Sequence, residues 1–201
     1  MIQARHLRFY EWFYAMYSRL AIRGEFASIN RDIAAINLEK PLLILANHHS
    51  WWDGFWVLYL NRLLWQKRFH VMMLYDQLRK HMTFRYVGAY SVKKGAKSVL
   101  ESLKYTSELL QKQGNMVLLF PQGEIQSQHS EYIHFQKGVR KTIAEISDVE
   151  ILMLVFFTDY FSNKKNNLWV YGERLEKSDD PEAAFNRFYN QCKQRQQLWN
   201  G

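Results

Sequence analysis

The chain has very little cysteine and no long apolar run. Cys192 is the only cysteine among 201 residues, so an intrachain disulfide is impossible and no oxidising compartment is required. No stretch reaches the ~18 consecutive apolar residues that read as a membrane-spanning helix. Internal repeats, low-complexity linkers and breaks in composition are also lacking. One globular domain, able to lie on a membrane but not to cross it, is the expectation at this length.

Positive charge and aromatic residues are abundant instead. Lys and Arg number 27 against 19 Asp and Glu, which gives a formal net charge of +8 and favours anionic partners such as nucleic acid, anionic lipid or an acidic carrier protein. Aromatic residues make up 16% of the chain, and such side chains favour places where apolar surface meets water. We therefore expect a membrane surface as partner, no nucleic acid, and a peripheral position on the cytoplasmic face.

Basic and aromatic residues are mixed at the start of the chain. Residues 1–22 lack the small-residue cleavage site of a signal peptide, so they are expected to be retained. Their helical spacing predicts an amphipathic segment over residues 1–30, ahead of a domain over residues 31–201. Two interpretations remain open: a helix packed on its own domain, or an interfacial helix with membrane contacts at Arg5, Arg8, Trp12 and Arg19.

Short apolar runs along the rest of the chain predict strands that are buried on both faces. They lie at residues 42–46, 70–75, 89–92, 116–120, 151–157 and 168–171. Helical patterns occur at about residues 53–66, 95–112, 138–147 and 181–198. This alternation predicts an α/β fold: a single domain with a mixed, mostly parallel central sheet flanked by helices, preceded by an N-terminal amphipathic helix.

The stretch NHHSWWD at residues 47–53 follows the first of these strands and opens a helix, which is where open α/β sheets place their sites. A histidine held by a carboxylate can act as a general base. On a continuous helix His49 would neighbour Asp53, whereas His48 meets Asp53 only if the segment opens with a turn. Spacing leaves both histidines open, together with a purely structural role. No metal site is expected, because no further ligand lies close in sequence.

Two later stretches could bind a polar substrate. In VGAYSVKKGAK, residues 87–97, lysines beside a helix start could hold a phosphate, although they could equally be solvated surface residues. In MVLLFPQGEIQ, residues 116–126, a buried strand ends in a turn through Gly123, and Gln122 and Glu124 beside it could fix a hydroxyl. Taken alone, this second stretch is only a loop.

In this order, the three stretches resemble the glycerolipid acyltransferase family, which includes bacterial 1-acylglycerol-3-phosphate acyltransferases. The family's first motif, Asn-His followed by four residues and Asp, matches Asn47, His48 and Asp53. The resemblance therefore implies His48, held by Asp53, as the base. Its second block, Gly followed by several residues and Arg, matches Gly88 to Lys94, with lysine at the arginine position.

The third family motif, Phe-Pro-Glu-Gly followed by Thr-Arg-Ser, appears as FPQG followed by EIQ at residues 120–126. The fourth, an apolar strand containing proline, is matched only by the proline-free run at residues 151–157. The resemblance covers roughly residues 40–160. It implies acceptor-binding roles for Lys94, Gln122, Gly123 and Glu124.

The implied reaction is transfer of a fatty acyl group from an acyl thioester, acyl-CoA or acyl carrier protein, to a hydroxyl of a lipid acceptor, with no other cofactor. A lysophospholipid-type glycerolipid is the expected acceptor. Because Glu124 would repel a phosphate and Ile125 replaces the family's arginine, an uncharged glycolipid or glycosylated terpenoid is the alternative. A non-catalytic basic module that binds membrane or nucleic acid is the alternative of another class.

Overall fold

The computed structural model describes residues 1–93 and 95–199. Within this part of the chain the β-strands are β1 Phe26–Ile33, β2 Leu42–Ala46, β3 Arg68–Leu74, β4 Ala89–Val92, β5 Asn115–Leu119, β6 Glu150–Asp159 and β7 Asn166–Arg174. The α-helices are α1 Arg8–Glu25, α2 Asp53–Leu60, α3 Tyr75–Lys80, α4 Ala96–Leu109, α5 Lys137–Glu145 and α6 Pro181–Gln197. A π-helical turn, Asn61–Trp65, follows α2, and a 3₁₀ turn, Met82–Tyr86, follows α3.

The strands form one seven-stranded sheet in the order β1-β7-β6-β2-β5-β3-β4. β6 and β7 pair antiparallel, and the other neighbours pair parallel. The predicted single α/β domain with a mixed, mostly parallel sheet is therefore confirmed. Because β2 and β5 are neighbours and run in the same direction, the segments that follow them meet at one edge of the sheet.

Helices cover both faces of the sheet, which explains the continuous apolar strands. In β2, Leu43 and Leu45 join the core beneath α4, α5 and α6, whereas Leu42 and Ile44 join the core beneath α1, α2 and α3. All four side chains are fully buried. A strand with helices on both sides needs apolar residues at every position rather than at alternate ones.

Helix α1 packs on the domain by one face and leaves the other face exposed. Ser18 and Ile22 are buried, and Tyr14 donates or accepts a hydrogen bond with Thr83 at 2.6 Å. The outward residues are large and apolar: Phe9, Trp12, Phe13, Met16, Tyr17 and Leu20 are each 40–64% exposed. No helix of the described residues combines the length and apolarity that crossing a bilayer requires.

The sheet begins earlier than the sequence pattern predicts. β1 pairs in parallel with β7, so residues 26–30, at the end of the predicted helical segment 1–30, belong to the sheet. Its sequence, FASINRDI, carries polar residues at several positions because it is an edge strand that is only half-buried. Helix α3 is likewise absent from the predicted helices, since its six residues are too few for a periodic pattern.

Residues 1–7 run along the opposite edge of the sheet, beside β4. The Arg5 N–H donates to the Arg85 carbonyl at 2.7 Å, and the Ser91 N–H donates to the Ile2 carbonyl at 2.9 Å. Between these contacts Gly88 has φ +98°, and a Cβ at this position would lie 1.9 Å from the Phe69 carbonyl oxygen. The glycine of the second block is therefore required by backbone packing.

Candidate active site

Asp53 is the first residue of α2, and its carboxylate organises the turn before the helix. Its Oδ2 accepts hydrogen bonds from the Nδ1–H of His48 at 2.8 Å and from the backbone N–H groups of His49 at 2.8 Å and Ser50 at 3.0 Å. The side chain is fully buried. With Nδ1–H donating to Asp53, Nε2 of a neutral His48 is free to accept a proton.

The neighbouring histidine lies against the other carboxylate oxygen. His49 Nδ1 is 3.9 Å from Asp53 Oδ1, and the side chain is 8% exposed against 20% for His48. Burial lowers the pKa of His49, and the charge on Asp53 opposes this shift. Since the segment opens with a turn, Asp53 makes its short side-chain bond to His48, and the two rings point into different cavities.

Asn47 fixes the end of β2 to β6. Its Oδ1 accepts the Phe156 N–H at 2.8 Å, and its Nδ2 donates to the Phe156 carbonyl at 3.0 Å. Both bonds are buried, so the amide orientation is determined by the backbone that it contacts. Asn47 thereby fixes the point from which the histidine turn departs.

The loop after β5 holds His48 from the side of the neighbouring strand. Gln122 Oε1 accepts the His48 N–H at 2.6 Å, and the Gln126 N–H donates to the His48 carbonyl at 2.9 Å. Gln122 Nε2 donates to Gln126 Oε1 at 3.0 Å. Gln122 is 2% exposed and its amide contacts protein atoms at both ends. The structure thus places this residue behind His48, not in the cavity that His48 faces.

Gly123 and Glu124 do face that cavity. Gly123 has φ +75° and its N–H donates to the Phe120 carbonyl at 3.0 Å, which closes the turn. Glu124 is exposed, and its Oε1 accepts from Gln126 Nε2 at 3.2 Å. A carboxylate therefore stands at the wall of the cavity.

The cavity beside His48, called here the apolar pocket, has a volume of about 410 Å³. It lies between α2, β3, β4 and the loop after β5. Its lining is mostly apolar and includes Phe55, Leu58, Met72, Val92, Phe120 and Ile125. The His48 ring stacks on Phe120, with centroids 4.0 Å apart. This arrangement puts a histidine–carboxylate pair at the wall of a space suited to an alkyl chain.

A family model described as Acyltransferase matches residues 28–156, more than half of the chain. The chain belongs to the acyltransferase family. The matched range includes His48, Asp53 and the loop after β5, and it confirms the family that the sequence motifs indicate.

The acyltransferase also resembles a solved structure. The crystal structure of the 1-acyl-sn-glycerophosphate (LPA) acyltransferase PlsC from Thermotoga maritima matches with a TM-score of 0.64 and 11% identity, over 95% of this chain and 81% of that chain. At this identity the likeness is one of fold. The comparison with curated proteins found no significant match.

The described residues of the apolar pocket do not form a cationic site for the acceptor. Lys94, predicted to bind the acceptor, lies outside the described residues. The Lys93 ammonium lies 4.0 Å from the ring centroid of Tyr75. No described residue lining the apolar pocket is a lysine or arginine. Nor do three His, Cys, Asp or Glu side chains converge as metal ligands anywhere in the described ranges.

Proposed function

We propose that this acyltransferase moves a fatty acyl group from the thioester of acyl-CoA or acyl carrier protein to a hydroxyl of a lipid acceptor, of the lysophospholipid-type glycerolipid class. His48 is the general base and Asp53 its partner. The observation that carries the proposal is the 2.8 Å hydrogen bond between these two side chains beside an apolar pocket. Family membership and the PlsC-like fold support lipid acyl transfer.

The proton moves between the acceptor, His48 and the leaving thiol. Nε2 of His48 takes the acceptor's hydroxyl proton while the oxygen attacks the thioester carbonyl carbon. The C–S bond then breaks, and the thiolate receives the proton from the imidazolium. Asp53 stabilises the imidazolium and fixes the tautomer. Transfer is direct, so neither a covalent acyl-enzyme nor a further cofactor is needed.

The apolar pocket suits the acyl chain of the donor. Each methylene group removed from water is worth about 0.8 kcal/mol, so a fatty chain in this space would hold its thioester carbonyl close to His48. Holding both reacting groups in position supplies a large part of such a rate enhancement. The three bonds that Asp53 accepts keep the base in place while the substrates arrive.

Helix α1 is the proposed membrane contact. Arg5, Arg8, Trp12 and Arg19 are all exposed, so basic residues could meet anionic headgroups while aromatic residues enter the interface. Tyr14, on the inner side of α1, lines the apolar pocket. Contact through the outer face of α1 would therefore bring the pocket to lipid substrates, in keeping with a peripheral position on the anionic, cytoplasmic face.

An uncharged glycolipid or glycosylated terpenoid is the second candidate acceptor. Glu124 supports it, because this carboxylate lines the apolar pocket without a basic residue among the described lining. A carboxylate accepts hydrogen bonds from hydroxyls but repels a phosphate. A phosphate-bearing acceptor would depend on the charge of Lys94, the residue that stands at the arginine position of the family's second block.

Release of thiol from the donor tests the proposal. Acyl-CoA and acyl carrier protein would each be supplied with lysophosphatidate or a glycolipid, and the free thiol trapped with a chromogenic disulfide. We expect acceptor-dependent thiol release. A basic module without catalysis would bind vesicles yet release no thiol with any donor and acceptor pair.

A further inference from the structure

A second cavity lies beside His49, as the apolar pocket lies beside His48. This cavity, called here the His49 pocket, has a volume of about 270 Å³. It is formed by the end of α1, the start of β1, the turn before α2, and the facing ends of β6 and β7. Its polar lining residues are Glu25, His49, Ser50, Thr158 and Asn166, and Trp52 and Trp56 also line it. The proposed acyl transfer does not use these side chains.

His49 lines this cavity and carries a buried ring nitrogen without a hydrogen-bond partner among the described residues. The amide of Asn47 is fixed by its two bonds to Phe156, so its Nδ2 donor lies toward His49 Nδ1, at 3.4 Å. We assign the proton of the neutral ring to Nε2, because the Asn47 donor is closer to Nδ1 than Asp53 Oδ1, which lies 3.9 Å away. Nε2 has no hydrogen-bond partner among the described residues, although the side chain is 92% buried, being 8% exposed. A buried donor without a partner is costly, so a ligand oxygen at this point would compensate it.

The other polar groups extend this pattern. Ser50 Oγ accepts the Trp52 N–H at 3.1 Å, which leaves its hydroxyl proton free to donate. Asn166 contributes an amide and Glu25 a carboxylate. The cavity thus offers several donors and one strong acceptor around aromatic surface, the combination expected for a small ligand rich in hydroxyl groups.

The charge of the cavity excludes a phosphate as the favoured ligand. No lysine or arginine is among the described residues that line it, and Glu25 would repel a second anion. Hydroxyl groups both donate and accept, so they match neutral His49, Ser50 and Glu25 together. The ligand that fits is neutral and polyhydroxylated.

We propose that the His49 pocket binds a neutral sugar or polyol group. Identification of this group as the headgroup of the acceptor lipid rests on the proposed acyltransferase function and selects its second candidate acceptor, the uncharged glycolipid. His48 and His49 are consecutive and both lie against the carboxylate of Asp53. A headgroup in the His49 pocket would therefore contact the residue that follows the proposed base in sequence.

Binding of two amphiphiles that share a tail tests this site without any chemistry. Octyl glucoside and octyl phosphate, each below its micelle concentration, would be titrated into the full chain by calorimetry. His49→Phe keeps the ring volume and removes the donor, whereas His49→Gln keeps an N–H group near the same point. We expect octyl glucoside to bind, His49→Phe to weaken it by roughly tenfold, as for one lost hydrogen bond, and His49→Gln to restore most of the affinity.

A charge reversal at the same cavity provides the second arm. Glu25 is exposed, so Glu25→Lys should fold normally, weaken octyl glucoside and strengthen octyl phosphate. The matched control is Glu108→Lys, which makes the same change on α4, a helix with no residue in the His49 pocket. Equal octyl glucoside affinity in the wild type and His49→Phe would overturn the inference. So would displacement of octyl glucoside by pantetheine, which would assign the cavity to the acyl donor.

These outcomes separate the inference from the proposed function. Octyl glucoside binding that depends on His49, in a chain that releases no thiol from any acyl donor, would sustain the site and refute the acyl transfer. Acyl transfer that depends on His48, with octyl glucoside binding that ignores both His49 and Glu25, would refute the site alone.

Discussion

The side-chain oxygen of Gln122 lies 2.6 Å from the backbone nitrogen of His48, across 74 residues of sequence. On the other side of the same residue, the His48 carbonyl accepts the Gln126 N–H. The peptide groups of the proposed base are thus held by the loop that also forms part of the apolar pocket wall. The loop after β5 therefore both positions the base and shapes the pocket.

Gln122 should therefore act on His48 rather than on the acceptor. Gln122→Met keeps the length of the side chain but removes the oxygen that accepts the His48 N–H. We expect a loss of about 1–3 kcal/mol of folding stability from the unsatisfied buried donor, together with a lower kcat and little change in KM for the acceptor. Denaturant unfolding and steady-state kinetics measure both. Gln122→Glu retains an acceptor oxygen and should recover most of kcat. If Gln122→Met kept the wild-type kcat and raised KM for the acceptor, Gln122 would bind the acceptor and would not position His48.

The histidine–carboxylate pair predicts which substitutions reduce acyl transfer most. His48→Ala should abolish acyl transfer because the base is removed. Asp53→Asn should lower it by about 10²–10⁴, since an amide cannot stabilise the imidazolium that forms. Thiol release under single-turnover conditions measures both. If His49→Ala lowered the rate at saturating acceptor more than His48→Ala did, the base would be His49. Near-wild-type turnover in Asp53→Asn would refute the pair.

Glu124 and Lys94 should have opposite effects on the preference between a phosphate-bearing and an uncharged acceptor. Glu124→Gln removes a negative charge, so it should raise kcat/KM for lysophosphatidate and lower it for a glycolipid. Lys94→Ala should harm the phosphate-bearing acceptor more, by about 1.5–3 kcal/mol if one charge-assisted hydrogen bond is lost. Competition between the two acceptors in one reaction measures the ratio directly. Equal effects on both acceptors would show that neither residue contacts the headgroup.

The exposed face of α1 should carry membrane affinity. Deletion of residues 1–22 would also remove the buried Ile22, so point changes are the cleaner test. Trp12→Ser combined with Leu20→Ser should reduce flotation with vesicles that contain anionic lipid, because both side chains are more than half exposed. Leu100→Ser, at a side chain 55% exposed on α4, is the control. Arg8→Gln should flatten the salt dependence. If the combined Trp12→Ser and Leu20→Ser change left flotation unaltered, the only role of α1 would be to pack on the domain.

Acid should destabilise the fold through its buried histidines. Burial lowers the pKa of His70 from 6.5 to about 3, and nearby His6 and Arg68 act in the same direction. Between these values the unfolded chain binds more protons than the folded one, so stability falls as pH drops below 6.5, by up to about 1.4 kcal/mol per pH unit for one proton. Tm between pH 7 and pH 5 should fall less steeply in His70→Gln. His134→Gln, at a side chain 81% exposed, should keep the wild-type slope.

The strands and the site follow from different kinds of signal. Runs such as LLILA predict β2 at its observed bounds, because burial on both faces demands an unbroken apolar sequence. β1 has no such signal, since its residues are only half-buried and its pairing with β7 joins segments more than 130 residues apart. Edge strands of this kind are defined by their partner rather than by their own sequence.

Local spacing likewise leaves His48 and His49 undecided. The choice depends on the turn in which Asp53 accepts two backbone N–H groups ahead of α2, and the family resemblance supplied what spacing could not. The position of Gln122 depends on two strands becoming neighbours in the sheet. No pattern within residues 116–126 reports a contact with residue 48.

The segment formed by residues 1–7 has a consequence for handling the protein. It occupies hydrogen-bonding groups over residues 85–91, beside β4, the last strand of the sheet. An uncovered strand edge is a template for pairing with another chain. Trimming or displacing this segment would open that edge to self-association. Poor solubility of an N-terminally shortened chain would then have its origin in exposed backbone, at the side of the sheet away from β1.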